Sequence, residues 1–210
     1  MVELLLVRHG VTQHNTDRVF MGHGPVPLSD AGREQISRLA DRLRAEPPDR
    51  IVASDVARAR ESAQIISERI GLPFETKEGL REVDVGQALG MSYDDAAQRW
   101  PGVFAPEGEQ RFPGGESFVE TADRALRYLR EDVIEGSGRV LVVTHGGVVR
   151  GLASRLLGLP LAAVFGFVID NASLSVFRVG GTGAQLVTWN DTSHLGSLRT
   201  GGRWPEAVSG

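Results

Sequence analysis

Short, almost entirely apolar runs alternate with amphipathic segments along this chain, and the alternation restricts the possible folds more than any other feature. Three runs are predicted to be buried strands because each is short and apolar: residues 2–7, 50–54 and 139–144. Apolar residues at helical spacing predict four amphipathic helices around them: residues 29–44, 54–71, 116–133 and 148–157. Strands that are joined by helices run parallel, so the pattern indicates a mostly parallel sheet covered on both faces.

The ends of the first two helices carry recognisable signals. Ser29 is a plausible cap for the first helix, and Ser54 or Asp55 is expected to cap the second. Gly71 is expected to end that second helix. Arg58 then falls in the first turn of the second helix, off its apolar stripe.

The remaining segments complete the predicted architecture. The end of the chain adds two strands, "SLSVFRV" and "AQLVTW", joined by the glycine-rich turn "GGTG". Between residues 72 and 113 the pattern favours only a short strand at 74–76 and a short helix at 92–100. We therefore predict a three-layer α/β/α sandwich in one domain, residues 1–195. A loop-rich cap at about residues 84–115 and a flexible tail over 196–210 are expected as well.

Charge and cysteine content exclude several classes of function. A net charge of −4 and a sequence pI near 5.8 argue against a nucleic-acid-binding surface, which needs clustered Lys and Arg. The chain has no cysteine, so thiolate nucleophiles and zinc–thiolate sites are excluded. The first apolar run lacks a preceding basic stretch and is too short for a signal peptide or a membrane span. We expect a cytoplasmic protein without membrane partners.

Two of the buried runs end in a histidine followed by glycine, "RHG" and "THGG". In open parallel sheets, ligands bind beyond the carboxyl ends of the strands, so His9 and His145 are candidates for one shared site. Arg8 and Arg58 also lie at element ends, and Glu82 in the loop-rich region is a further candidate. The sequence alone does not establish that the two strands are neighbours.

These residue types suit phosphoryl transfer. Arginine presents a rigid fork of donors that matches phosphate geometry. Cations near His9 would lower its pKa and leave a neutral, nucleophilic imidazole, which a backbone carbonyl could aim by fixing its tautomer. Glu82 could protonate the leaving oxygen and later deprotonate a water. Gly10, Gly146 and Gly147 would let a phosphoryl group approach the backbone closely, the last two at a helix N-terminus.

Less specific interpretations exist for each candidate. His9 could be a hydrogen-bonded histidine at a strand end, and Arg58 a solvated residue, although a cation at a helix N-terminus opposes the helix dipole. The neighbouring Asp84 could take the place of Glu82. Two histidines and a carboxylate could also bind iron or zinc, but the adjacent arginines would repel a divalent cation.

Other aromatic and histidine side chains are less distinctive. Trp100, Phe104 and Phe112 are expected either to cover the site as an apolar lid or to pack as the core of a small cap. Two histidines are expected at the surface or behind the site, His14 and His194, and His23 at the lip of the pocket.

Five segments in order resemble the histidine phosphatase superfamily, which has the phosphoglycerate-mutase-like fold: "LLLVRHGVTQHN", "SDVARARESA", "LREVDVGQALG", "PGGES" and "VVTHGGVVRG". The resemblance implies that His9 is the phosphorylated residue and that Glu82 is the proton donor. It further implies a phosphate site built from four other side chains: Arg8, Asn15, Arg58 and His145. No metal or organic cofactor is expected for phosphatase members of the family.

Two departures from the family pattern bear on the substrate pocket. The stretch "FMGHGPVPLS" has Met21 and Pro25 where members often carry Gln and Asp, which predicts a less polar pocket around Met21 and His23. Mutases of the family resemble one another in an asparagine after the "HG" pair and in a long insertion after the glutamate segment. This chain instead has a second glycine after Gly146 and only a short region from residue 89 to 113. Both features favour a phosphatase over a mutase.

The sequence therefore predicts a metal-independent phosphomonoester hydrolase that acts on a small organic phosphate through a phosphohistidine on His9. A phosphorylated sugar, a glycerate derivative and a nucleotide-related metabolite are all compatible with the pattern. One alternative is a cofactor-dependent phosphoglycerate mutase, which would use the same phosphohistidine. An alternative of another class is an inactive phosphate-binding module, although such a module needs neither a nucleophile nor a proton donor.

Overall fold

The computed structural model describes residues 1–105, 107–134, 136–181 and 183–200. Six strands form one sheet: β1 (Val2–Arg8), β2 (Arg50–Ser54), β3 (Phe74–Lys77), β4 (Gly138–Thr144), β5 (Leu174–Gly180) and β6 (Gly183–Asp191). The α-helices are α1 (Gln13–Thr16), α2 (Asp30–Leu43), α3 (Ala57–Ile70), α4 (Tyr93–Arg99), α5 (Phe118–Leu129), α6 (Gly146–Leu157) and α7 (Leu161–Phe165). Shorter helical turns are the 3-10 helices Glu78–Leu80, Gly86–Ala88, Pro101–Phe104 and Gly196–Leu198 and the π-helical turn Arg130–Ile134.

The strand order is β3-β2-β4-β1-β5-β6. The first four strands of that order run parallel, while β5 and β6 are antiparallel to their neighbours and form the predicted hairpin, with Thr182 outside the described residues. The predicted mostly parallel α/β sheet is therefore confirmed. Because β1 and β4 pair directly, the two strands that end in histidine lie side by side at the centre of the sheet.

Both faces of the sheet are covered, as an almost wholly apolar strand requires. On β1, Leu4 and Leu6 belong to one buried cluster and Leu5 and Val7 to another. The first cluster includes apolar side chains of α5 and α6, and the second includes those of α2 and α3. Alternate side chains of one strand thus enter two cores, which gives the three layers predicted.

The ends of α2 agree with the sequence analysis, but the start of α3 does not. The hydroxyl of Ser29 caps α2 by accepting the N–H of Gly32. The N-cap of α3 is Val56, whose side chain makes no capping hydrogen bond, so the prediction that Ser54 or Asp55 caps this helix is wrong. Ser54 bonds instead to a histidine of the central strands, and Asp55 pairs with Arg81.

The sequence predicts one of the two least regular regions better than the other. The short strand predicted at residues 74–76 and the short helix predicted at 92–100 are confirmed as β3 and α4, and the hydroxyl of Ser92 caps α4. Residues 196–200, predicted as the start of a flexible tail, are tied to the domain: Gln35 Nε2 donates to the carbonyl of Leu198 at 2.7 Å, and Arg199 pairs with Asp170 at 3.1 Å. The rest of that tail, residues 201–210, lies outside the described residues, and the predicted domain boundary stays a prediction.

In the ranges that the structure describes, none of the helices is both long enough and apolar enough to cross a lipid bilayer.

Candidate active site

The site lies where β1 and β4 end. The backbone N–H of His9 donates to the carbonyl of Thr144 at 2.9 Å, which continues the β1–β4 ladder by one residue. The rings of His9 and His145 consequently meet edge to face, with centroids 5.3 Å apart. The two histidines that the sequence places far apart are thus neighbours, as their strand ends predicted.

His9 is held in one tautomer by a partner on each ring nitrogen. Its Nδ1–H donates to the carbonyl of Gly10 at 2.7 Å, and Nε2 accepts a hydrogen bond from Nε of Arg58 at 3.2 Å. The pKa of His9 lies well below its usual value of 6.5 because the ring is buried and because Arg58 and Arg8 repel an added proton. Nε2 therefore carries a lone pair at neutral pH.

Arg58 is buried although it lies in the first turn of α3, so the interpretation as a solvated residue is wrong. Its Nη2 donates to the carbonyl of Gly22 at 2.9 Å, which links α3 to the loop after α1. Burial lowers the pKa of Arg58 to about 10, which still leaves the guanidinium charged at neutral pH.

Arg8 enters the site from the last residue of β1. Its Nη1 donates to the carbonyl of Ile169 at 2.6 Å, whereas its buried Nε has no hydrogen-bond partner in the part of the chain that the structure describes. Burial lowers the pKa of this side chain from its usual value. An unpartnered guanidinium N–H beside a neutral imidazole is a donor available to an anion.

His145 lies behind His9 rather than on the cavity wall. Its Nε2 bonds to the hydroxyl of Ser54 at 2.9 Å, and its buried Nδ1 has no partner among the described residues. Burial, followed by the charge of Arg58, holds its pKa well below the usual value. Nδ1 is therefore the ring nitrogen that makes no hydrogen bond within the described part of the chain.

Glu82 approaches the N-terminus of α6. Its Oε1 accepts the N–H of Val83 at 3.0 Å, and its Oε2 accepts the N–H of Gly147 at 3.3 Å. A Cβ at position 147 would overlap Oε1, so only glycine leaves room for the carboxylate there. Asp84, the alternative carboxylate, instead accepts the N–H of Gly86 at 3.0 Å and does not line the cavity.

The candidate residues surround a cavity of about 60 Å³. It is lined by Arg8, His9, Asn15, Phe20, Met21, Gly22, Arg58, Glu82, Val83, Val85, Tyr93, Gly146, Gly147 and Arg150. Of the predicted pocket contacts, Asn15, Met21 and Gly146 line this cavity. His23 does not line it, and its ring bonds to the carbonyl of Glu82 at 2.7 Å.

The three aromatic side chains considered as a lid do not line the cavity. Phe112 is fully buried, and its ring packs against those of Phe20 and Phe104. Trp100 and Phe104 pack against the same core cluster. The structure favours ordinary packing of the cap for all three, and Phe20 and Tyr93 are the aromatic residues of the wall.

The sequence does not predict several residues of the site, among them two arginines and a tyrosine. Arg150 and Tyr93 line the cavity, and Arg124 donates to the carbonyls of Arg81 and Glu82 at 3.1 and 3.3 Å, which fixes the loop that carries Glu82. A buried arginine on the apolar helix α6 was the available signal for Arg150. Arg124 lies on the long amphipathic helix α5, where a charged residue gives no such signal.

Within the described ranges, no group of three or more His, Cys, Asp or Glu side chains is arranged to hold a metal ion. The cations around His9 give the site a charge that favours anions instead.

A mostly parallel sheet with paired histidines and arginines at the carboxyl ends of its central strands matches one class of protein. The chain belongs to the histidine phosphatase superfamily (branch 1), whose family model matches residues 4–192. Among individual relatives, it is 37% identical to phosphoglycerate mutase-like protein 4 of Arabidopsis thaliana, over 95% of this chain and 90% of that protein. It is also 37% identical to a glucosyl-3-phosphoglycerate phosphatase of Mycolicibacterium vanbaalenii, over 75% of each chain.

Solved structures agree with this assignment. The fold resembles that of YhfR of Bacillus stearothermophilus with a TM-score of 0.84 and 31% sequence identity, over 93% of this chain and all of that one (100%). The predicted resemblance to the histidine phosphatase superfamily is therefore confirmed over nearly the whole chain.

Proposed function

We propose that this protein is a phosphomonoester hydrolase that forms a phosphohistidine on Nε2 of His9. The observation that carries the proposal is the state of that ring: Nδ1–H is anchored on the carbonyl of Gly10 at 2.7 Å, and Nε2 lies among cations. A neutral imidazole whose lone pair faces an anion site is suited to attack phosphorus once Arg58 releases it. The phosphatases among the relatives support hydrolysis rather than simple binding.

In the first step, Nε2 of His9 forms a bond to phosphorus as the bond to the leaving oxygen breaks. Arg58 turns its donors from Nε2 to the phosphate oxygens, and the unpartnered Nε of Arg8 supplies another donor. The ring of His145 contacts that of His9 edge to face behind the cavity. The phosphate contact expected of His145 would require its buried Nδ1 to become exposed to the cavity. Glu82 gives its proton to the departing oxygen, so the alcohol leaves uncharged.

In the second step, a water attacks the phosphohistidine. The carboxylate of Glu82 takes one proton of that water, the phosphorus–nitrogen bond breaks, and inorganic phosphate leaves. The ring of His9 returns to its neutral form, with Nδ1–H still bonded to Gly10. The charges on the protein are the same at the end of the cycle as at its beginning.

The substrate that we propose is a small organic phosphate. The cavity has an apolar wall of Phe20, Met21, Val83 and Val85 next to Glu82, where the leaving group departs. The less polar pocket predicted from Met21 agrees with this lining. Cytoplasmic location and independence from metals remain parts of the proposal.

The test is phosphate release from a panel of metabolite phosphates with EDTA present and without any bisphosphoglycerate. Release that is abolished in His9→Ala supports the proposal. A sample quenched in alkali should carry its phosphorus on His9, because the phosphorus–nitrogen bond of phosphohistidine is stable in alkali and hydrolyses in acid. Isomerisation of 3-phosphoglycerate that depends on added bisphosphate would identify a mutase instead. Binding of phosphate without any turnover would identify an inactive phosphate-binding module.

A further inference from the structure

A five-residue segment that the mechanism does not use contacts three of the site residues. It runs from Ile169 to Ser173 and precedes β5. Its Ile169 carbonyl accepts from Arg8, and the N–H of Ala172 donates to the carbonyls of Arg8 and His9 at 2.9 and 3.1 Å. Ala172 reaches these carbonyls from a left-handed backbone conformation, with φ of 56°, which non-glycine residues rarely adopt.

Asn171, within this segment, is buried and makes the most specific of these contacts. Its side-chain NH₂ group donates one hydrogen bond to the carbonyl of His9 at 3.1 Å and another to Oδ1 of Asn15 at 3.2 Å. Its own Oδ1 accepts from the hydroxyl of Thr200 at 3.4 Å. Both amide hydrogens therefore have acceptors, and turning this amide over would bring its oxygen against two other oxygens.

The bond to Asn15 matters because an asparagine amide has two ends of nearly equal shape and opposite polarity. Oδ1 of Asn15 accepts not only from Asn171 but also from the backbone N–H and the hydroxyl of Thr12, both at 3.1 Å. With these donors on the oxygen, the NH₂ end of Asn15 is the end left for the cavity, which Asn15 lines. Reversed, Asn15 would present lone pairs to a phosphate and its hydrogens to two N–H groups.

We propose that Asn171 is a positioning residue that orients the amide of Asn15, so that its NH₂ group faces the phosphate. The inference rests on the proposed function for the identity of the ligand. Asn171 itself does not line the cavity and makes no contact with the substrate in this proposal. Asn171 acts through Asn15. Its second hydrogen bond, to the carbonyl of His9, keeps Asn15 and His9 at a fixed separation.

The test is a double-mutant cycle read by the Kd for inorganic phosphate, measured by titration calorimetry, so that it does not depend on turnover. Asn171→Asp keeps the shape but replaces the donor with an oxygen, so Oδ1 of Asn15 faces another acceptor and the Asn15 amide is expected to move out of its orientation. The loss of one donor to a charged group predicts phosphate binding weaker by about 10- to 150-fold. The KM for a phosphomonoester should rise by a similar factor, with kcat changed much less.

The same substitution in an Asn15→Ala background separates the possible causes. If Asn171 acts through Asn15, Asn171→Asp changes the Kd by less than about twofold in that background. If the Kd weakens equally in both backgrounds, the new charge or a general distortion is responsible, and the proposal is overturned. The same cycle is repeated with Asn171→Ala and Asn171→Ser, which remove the amide donor without introducing a charge. The Ser variant replaces the Asp variant if the latter does not fold.

The readout also separates this inference from the proposed function. A wild-type protein that binds phosphate but hydrolyses no phosphomonoester would refute the proposed hydrolase, while the cycle would still test Asn171. A wild-type hydrolase whose cycle is additive would refute the role of Asn171 and leave the proposed function standing.

Discussion

Replacing Arg58 with Gln should change both the rate and the pH profile of this protein, for reasons that its contacts define. The guanidinium donates to Nε2 of His9 at 3.2 Å and is buried beside it. A charge-assisted hydrogen bond to phosphate is worth about 1.5–3 kcal/mol. At about 1.36 kcal/mol per tenfold, its loss lowers kcat/KM by about 10- to 150-fold.

The shift of the pH profile tests the electrostatic part of the argument. The charge of Arg58 is the second largest cause, after burial, of the depressed pKa of His9, so its removal moves this pKa back toward 6.5. The reactive form of His9 is the neutral ring, and activity falls as the pH drops through its pKa. The acid limb of kcat/KM should therefore lie at higher pH in Arg58→Gln than in the wild type.

The assay is the rate of phosphate release between about pH 4.5 and pH 8, a range that spans the ordinary histidine pKa. Arg60→Gln is the matched control, because Arg60 lies on the same helix but is exposed. It should leave the rate and the profile unchanged. An acid limb of Arg58→Gln at the same pH as in the wild type, or at a lower pH, would refute the reasoning about His9. Ionisation of the substrate cannot cause a difference between the profiles, because the wild type, Arg58→Gln and Arg60→Gln are assayed with the same substrate.

Three other perturbations have defined outcomes. The pKa values of His9 and His145 lie below the unfolded value of 6.5, so the unfolded chain binds more protons below that pH. The free energy of unfolding in urea should therefore fall as the pH drops below it, by up to about 1.36 kcal/mol per unit for each ring, and less steeply in His145→Gln. Gly10→Ala brings a Cβ to 2.5 Å from the carbonyl oxygen of Gly32, which should lower stability by about 1–3 kcal/mol in thermal unfolding; an unchanged Tm would contradict that packing. Glu82→Gln should slow hydrolysis of an alkyl phosphate by about 10²–10⁴-fold but that of 4-nitrophenyl phosphate far less, since nitrophenolate leaves without a proton, and equal losses would argue against Glu82 as the acid.

The central part of the fold and of the site could be predicted because its signals are local. β1 is apolar over its whole length because both faces are buried, and its pattern ends where Arg8 begins the site. The rule that ligands bind at the carboxyl ends of parallel strands then predicts that His9 and His145 share one site. The order of the strands was not needed for that hypothesis, but only the direct pairing of β1 with β4 establishes it.

The parts that could not be predicted depend on contacts between segments that are distant in the sequence. Serine is a preferred residue type at helix N-caps, which is why Ser54 is a candidate. Its hydroxyl instead bonds to Nε2 of His145, and α3 begins without a side-chain cap. Asn171 lies in a loop without periodicity, so nothing in the sequence connects it to Asn15. The anchoring of residues 196–200 depends in the same way on Asp170 and Gln35.

The pairing of β1 with β4 also determines when the site exists during synthesis. His9 is translated early, together with the loop that binds its Nδ1–H, but the strand that brings His145 beside it is made much later. A ribosome-bound chain that stops before β4 holds the nucleophile without the second histidine and without the N-terminus of α6. Such a nascent chain has no assembled pocket, so ribosome-stalled chains of increasing length should first retain phosphate only after α6 has emerged.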